Sequence, residues 1–225
     1  MRFDRARADF GKSRPDVAVR VHYFPFMIDP GTKPDGEEYA AYNRRRWGGD
    51  GWTGSLRAKG RRCGADFGNW VWWPHTLDAH RLMRFLFTQH GTAAADALKG
   101  ALFDACYEEG RNISERACLV QVGAACLRAL GANASAGAGA SLGPADAASG
   151  GVERILGNFL ASDAGRSEVL RECREASSSG VGGVPYFLVS SAAGGAAGGD
   201  SRPYGLSGAQ DAETLLSVFN DVVGR

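Results

Sequence analysis

Helical periodicity fills the middle of this chain while period-two alternation is confined to its two ends, which restricts it to folds where a block of helices interrupts a small sheet. Leu77, Leu82, Phe85 and Leu86 mark a helix that Thr76 is placed to cap and Gly91 to stop. Ala95, Leu98, Leu102 and Cys106 continue at helical spacing to Gly110, and Leu119, Val122 and Cys126 do so after Ser114. Two further helices are predicted over 152–160 and 167–177. By contrast, Val17, Val19, Val21 and Tyr23 alternate with Ala18, Arg20, His22 and Phe24, the pattern of a strand that runs up to Pro25. A short strand over Val184–Val189 and a hairpin partner at Tyr204–Leu206 are predicted near the other end. Phe3, Ala6 and Phe10 place a helix before the first strand, and Leu215, Leu216, Val218, Phe219 and Val222 place one after the last. Residues 29–69, rich in Gly, Arg and Asp, read as loop around one short polar helix at Glu37–Arg46. The fold class is α/β with an all-helical insertion.

Composition narrows what such a fold does. At 225 residues the chain is long enough for a real core in one domain. Lys plus Arg number 26 against 25 Asp plus Glu, a net charge of +1, which lacks the basic footprint of a nucleic-acid or anionic-membrane binder; neither partner is expected. No apolar run approaches the length of a membrane span, and Met1–Lys12 lacks the apolar core of a secretory signal. Asp4 and Asp9 break the acid-poor pattern of an organelle transit peptide, so a cytoplasmic location is expected. Gly131–Gly151 is almost purely Ala, Gly and Ser, too poor in apolar area to offset its ordering entropy, and reads as a flexible linker; Ser191–Asp200 is a second such insert.

The residue types able to do chemistry are sparse. Cys63, Cys106, Cys118, Cys126 and Cys173 are odd in number and irregular in spacing, with no Cys-x-x-Cys pair among them, so neither a disulfide framework nor a zinc pattern is present. Arg61 and Arg62 before Cys63 favour a thiolate there, although an exposed loop cysteine of no special role is the commoner case. Cys106 and Cys126 fall on apolar helix faces, where a thiol acts as a small hydrophobe. Cys118 and Cys126 are eight residues apart on one helix, about 12 Å along its axis, too far for a disulfide. His75 and His80, five apart, point to different sides of a helix and His22 and His90 have no partner in sequence, so no metal site is expected. Trp70, Trp72 and Trp73 are expected as core beneath a helical lid rather than as a ligand platform.

Several segments together carry a resemblance. Thr76-Leu77-Asp78-Ala79-His80-Arg81-Leu82, Ala101-Leu102-Phe103 and Glu109-Gly110-Arg111-Asn112-Ile113 resemble the helical insertion of DsbA-like thioredoxin-fold proteins of the FrnE-like branch. Gly183-Val184-Pro185-Tyr186-Phe187 and Ser207-Gly208-Ala209-Gln210 resemble that family's cis-proline loop and the turn into its last helix, and Phe24-Pro25-Phe26-Met27-Ile28-Asp29-Pro30 is similar to its second-strand signature. The resemblance implies a thioredoxin-like fold in parts: 1–75, an all-helical insertion at 76–180, and 181–225, one domain over 1–225. It also implies a cis Val184–Pro185 bond, a structural role for His80, and substrate binding at Val184 and Pro185, where an extended peptide or client protein adds as a strand.

The departure from the family pattern is as informative. In the family a first strand leads into a Cys-x-x-Cys at a helix N-terminus, whose dipole and free N–H groups stabilise the thiolate. Against that pattern this chain is N-terminally shortened, with the first strand and the Cys-x-x-Cys segment missing. No catalytic residue is assigned, and the expected function is a thiol-disulfide oxidoreductase family domain that is inactive as written, with no cofactor. Two alternatives stay open: a non-catalytic peptide- or client-binding module, and a glutathione-dependent transferase or isomerase of the kappa or 2-hydroxychromene-2-carboxylate isomerase type, for which glutathione is the cofactor. Without the first strand, the strands at Val17–Phe24 and Val184–Val189 would each expose an edge of unpaired N–H and C=O groups, so either the two edges are expected to close on each other or something else is expected to fill the slot.

Overall fold

A computed structural model describes residues 2–133, 150–191 and 203–224. In chain order the elements are α1 (Arg2–Ser13), β1 (Glu37–Glu38), α2 (Tyr39–Trp47), α3 (Thr53–Arg61), β2 (Trp72–Trp73), α4 (Leu77–Phe103), one π-helical turn (Asp104–Glu108) and α5 (Arg116–Asn133). They continue with α6 (Gly151–Ala161), α7 (Arg166–Ser178), β3 (Tyr186–Val189), β4 (Tyr204–Ser207) and α8 (Ala212–Val223). The chain forms two compact units, one of Met1–Val21 with Arg174–Arg225, the other of His22–Cys173.

In the first unit α1 and α8 pack on one face of an antiparallel β3–β4 hairpin. Alternation along β3 turns Phe187 and Val189 inward, where they meet Phe3, Ala6, Phe10, Leu215 and Phe219. The rings of Phe3 and Phe187 stack at 5.9 Å, and Phe10 meets Phe219 edge-on at 5.6 Å. Asp211 caps α8, its carboxylate accepting from Thr214 N–H at 2.7 Å. Gly208, at φ +83°, supplies the left-handed turn between β4 and that cap.

The second unit is built around α4, α5 and α6. Leu82, Leu86, Leu98, Leu119, Leu156 and Leu160 are fully buried between them. Gly123 lets α5 and α6 approach, since a Cβ there would stand 3.0 Å from Leu156 Cδ1. Arg81 is the largest fully buried side chain. Its guanidinium donates to Phe159 O at 3.1 Å, Ser162 O at 2.5 Å and Ala164 O at 2.9 Å, gathering carbonyls at and just beyond the end of α6, and pairs with Asp78 at 2.6 Å. Beside this core the aromatic residues form their own cluster. Tyr39, Tyr42, Trp70 and Trp73 are buried together, with Tyr42 and Trp73 stacked at 4.1 Å. Glu108 closes it from outside, its two carboxylate oxygens accepting from the N–H groups of Phe67 at 2.9 Å and Gly68 at 3.1 Å.

The structure departs from the sequence pattern at several places. Val17–Phe24 carries no strand: among the described residues the only ladders join β1 to β2 and β3 to β4. Alternation alone does not make a strand without a neighbour to complete the hydrogen bonds. Two of its side chains are engaged in the second unit instead, His22 against the ring of Phe87 at 5.5 Å and Tyr23 through its hydroxyl to Asp96 and to Lys99 Nζ. The stretch 29–69 holds α3 and the two-residue β1 as well as a helix at Tyr39–Trp47. Thr76 makes no side-chain cap bond, and Gly91, at φ +77°, breaks α4 rather than ending it. Residues 131–133 complete α5 and Gly151 opens α6, so the proposed linker is shorter at both margins; its remainder, 134–149, and nearly all of the 191–200 insert lie outside the described residues.

Candidate functional site: the cis-proline strand

The sequence singles out Val184 and Pro185, and the structure places both at the entrance to β3, exposed, with the peptide bond between them cis. Pro185 O accepts from Gly208 N–H at 2.9 Å, which ties the loop to the turn after β4 and sets the register Tyr186 opposite Ser207 and Phe187 opposite Leu206. In an antiparallel pair the residues alternate between facing the partner and facing away. With Pro185 bonded toward β4, Phe187 and Val189 also point their N–H and C=O at β4, and those of Tyr186 and Leu188 point to the opposite edge. No strand pairs with that edge among the described residues.

The side chains over this edge are apolar and wet. Val184 is 49% exposed, Tyr186 36% and Leu188 62%, an outward row on a hairpin whose other face is packed. Tyr186 lies across Gly205 of β4: a Cβ on Gly205 would stand 2.5 Å from its hydroxyl oxygen. Glycine at 205 therefore makes room for the ring. Sequence reasoning named Val184 and Pro185 for this candidate site and did not name Tyr186, Leu188 or Gly205; the alternation of Tyr186–Val189 held the signal for them, since only one of its two faces can be core.

Thiol chemistry is absent from this unit, because all five cysteines lie in the other one. Cys106, Cys118 and Cys126 belong to the helical core and Cys173 to a cluster with Met27, Leu77 and Val169. Burial pushes the Cys106 thiol up to about 12 and those of Cys118 and Cys126 upward as well, the reverse of what a nucleophile needs. Cys63 is partly exposed just beyond α3. His80 is held by burial at a pKa of about 4, with a backbone hydrogen bond to Phe26 opposing the shift, and His75 is lowered by burial too. The described residues contain no group of three His, Cys, Asp or Glu side chains able to hold a metal ion. The arrangement offers two backbone amide groups and an apolar row for an extended chain, in a unit that holds no cysteine.

The model of the DSBA-like thioredoxin domain matches residues 1–220 of the chain. No curated protein matches it.

Proposed function

The chain belongs to the DSBA-like thioredoxin domain family, of thiol-disulfide oxidoreductase type, and from that premise we propose that these residues hold an extended polypeptide on the free edge of β3 without performing dithiol exchange themselves. On this reading the client pairs with the backbone of Tyr186 and Leu188 as an added strand, while Val184, Tyr186 and Leu188 cover its side chains. Residues 76–180 are read as an insertion between the two thioredoxin-like parts, helical as α4 to α7 among its described residues, and no Cys-x-x-Cys pair occurs in this sequence. No cofactor is part of the proposal. The observation that carries it is the pairing of β3 on one side only among the described residues, beside the cis-proline loop, in a unit with no cysteine.

The location expected from the sequence, cytoplasmic, remains part of the same proposal; no helix among the described residues is long and apolar enough to cross a membrane.

The test is insulin reduction by dithiothreitol, followed as turbidity. The rate with the chain present equals the rate in buffer alone; a rate above buffer overturns the absence of dithiol chemistry. Titrating glutathione into the same sample leaves the thermal midpoint unmoved, whereas stabilisation by glutathione selects the transferase or isomerase alternative.

A further inference from the structure

A net charge of +1 speaks against a basic footprint over the whole molecule and leaves a local one open. Between Arg44 and Arg62 stand seven basic residues and a single acid, Asp50, so the rest of the chain is net acidic. Within this basic stretch of sequence lie Trp47 and Trp52, both exposed. Trp47 is 49% exposed, Trp52 42% and Leu56 38%, and the two indoles meet edge to face at 6.2 Å. On α3, Thr53 and Arg57 face inward: the Thr53 hydroxyl bonds that of Tyr39 at 2.9 Å, and the Arg57 guanidinium lies over the rings of Tyr39 and Trp70. Trp52, Leu56 and Lys59 follow at i, i+4 and i+7 along a neighbouring side of α3, about 110° round the helix from Thr53 and Arg57, so that Trp52 still touches the buried Trp70 while Leu56 and Lys59 turn outward, and Arg62 lies just beyond the helix end. Arg45 is tied to Glu37 and Arg46 to Asp29, whereas Arg44, Lys59, Arg61 and Arg62 are exposed and make no ion pair among the described residues.

We propose that this face of α3, with the end of α2, docks on an anionic phospholipid bilayer. Trp47, Trp52 and Leu56 enter the headgroup region, where aromatic and aliphatic groups both gain from leaving water, and Arg44, Lys59 and Arg62 meet lipid phosphates and carboxylates, Lys59 by snorkelling. The helix lies on the membrane; no described helix can span one. A single-stranded nucleic acid fits less well, since stacking needs open ring faces. The Arg46 guanidinium sits 4.3 Å over Trp47, while Trp52 is edge-on to Trp70 and Trp73 with its Nε1–H given to Asn43. An acidic polypeptide would neutralise the cations but leave the apolar trio in water.

Co-sedimentation of the full chain with vesicles tests this. Vesicles of phosphatidylserine and phosphatidylcholine in equal parts pellet the chain, vesicles of phosphatidylcholine alone do not, and raising the salt releases it. Each cation reversed costs about fivefold or more in partitioning, so Arg44→Glu with Lys59→Glu and Arg62→Glu abolishes binding. Trp47→Ser with Leu56→Ser weakens it while the thermal midpoint stays within a few degrees of the parent. Independently of any variant, brominated acyl chains quench part of the tryptophan emission. The proposal is overturned if phosphatidylserine vesicles leave the chain in the supernatant, if the charge-reversed variant binds as the parent does, if bromine leaves the emission unchanged, or if a single-stranded oligonucleotide or polyglutamate binds while the vesicles do not.

Discussion

Arg81 shows how one side chain can set a local structure. Fully buried and bonded to carbonyls at the end of α6, it costs little while every donor is used and much once it is gone, because the buried Leu160 carbonyl and the half-buried ones beside it lose their donor together. Arg81→Ala is expected to lower the unfolding free energy by about 3 kcal/mol or more, read by chemical denaturation, and Arg81→Lys to recover only part of it, since an ammonium cannot span the same set. His80 makes a prediction about acid. Its pKa is depressed from 6.5 to about 4 in the folded chain, so below pH 6.5 the unfolded chain takes a proton that the folded chain refuses. Stability is therefore full above pH 6.5 and falls by on the order of 3 kcal/mol as the pH drops to 4. His75 and His90, both lowered by burial, act in the same direction. Denaturation midpoints measured across this range should be flatter with pH for His80→Gln than for the parent; equal slopes would place the acid sensitivity elsewhere. Gly205 carries the residue-scale test of the site. Gly205→Ala drives the end of the Tyr186 ring off β4, a displacement of a flexible side chain that costs under about 1 kcal/mol of stability while weakening client binding.

Elements were legible in the sequence where periodicity and burial agree. The stripes through Leu82, Leu98, Leu119 and Leu156 became helices because one face of each is core, and Leu156→Ala is accordingly expected to cost about 2–5 kcal/mol, measured by denaturation. The hairpin at Tyr186–Val189 and Tyr204–Ser207 was legible for the same reason. Other stretches were misread or unread. The helix α3 contains Gly54 and Gly60, poor helix formers, and is held from outside by the Tyr39 hydroxyl and by Arg57 packed on aromatic rings, contacts between residues that no local pattern pairs. The alternation of Val17–Phe24 promised a strand, yet a strand is a property of a pair, and that run has no ladder here. The site divides in the same way: Val184 and Pro185 could be named from motif, whereas Tyr186, Leu188 and Gly205 became visible only when the register of the hairpin showed which edge and which face stay open.

Across the whole molecule, redox-capable atoms and the cis-proline strand are segregated into different units. Four of the five thiols are buried, and only Cys63 is partly exposed. A chromogenic disulfide reagent at neutral pH should thus react promptly with one thiol of the five and reach the other four only on unfolding; prompt reaction of two or more would show a second accessible thiol and reopen the question of dithiol chemistry. The account as a whole rests on β3 presenting an unfilled edge. Amide hydrogen exchange at Tyr186 and Leu188 measures that edge most directly, with and without an unfolded client peptide. Both amides are predicted to exchange rapidly in the chain alone, with Phe187 and Val189 protected, and to become protected when the peptide is added. Protection of Tyr186 and Leu188 already in the free chain, or no change on adding peptide, would contradict it.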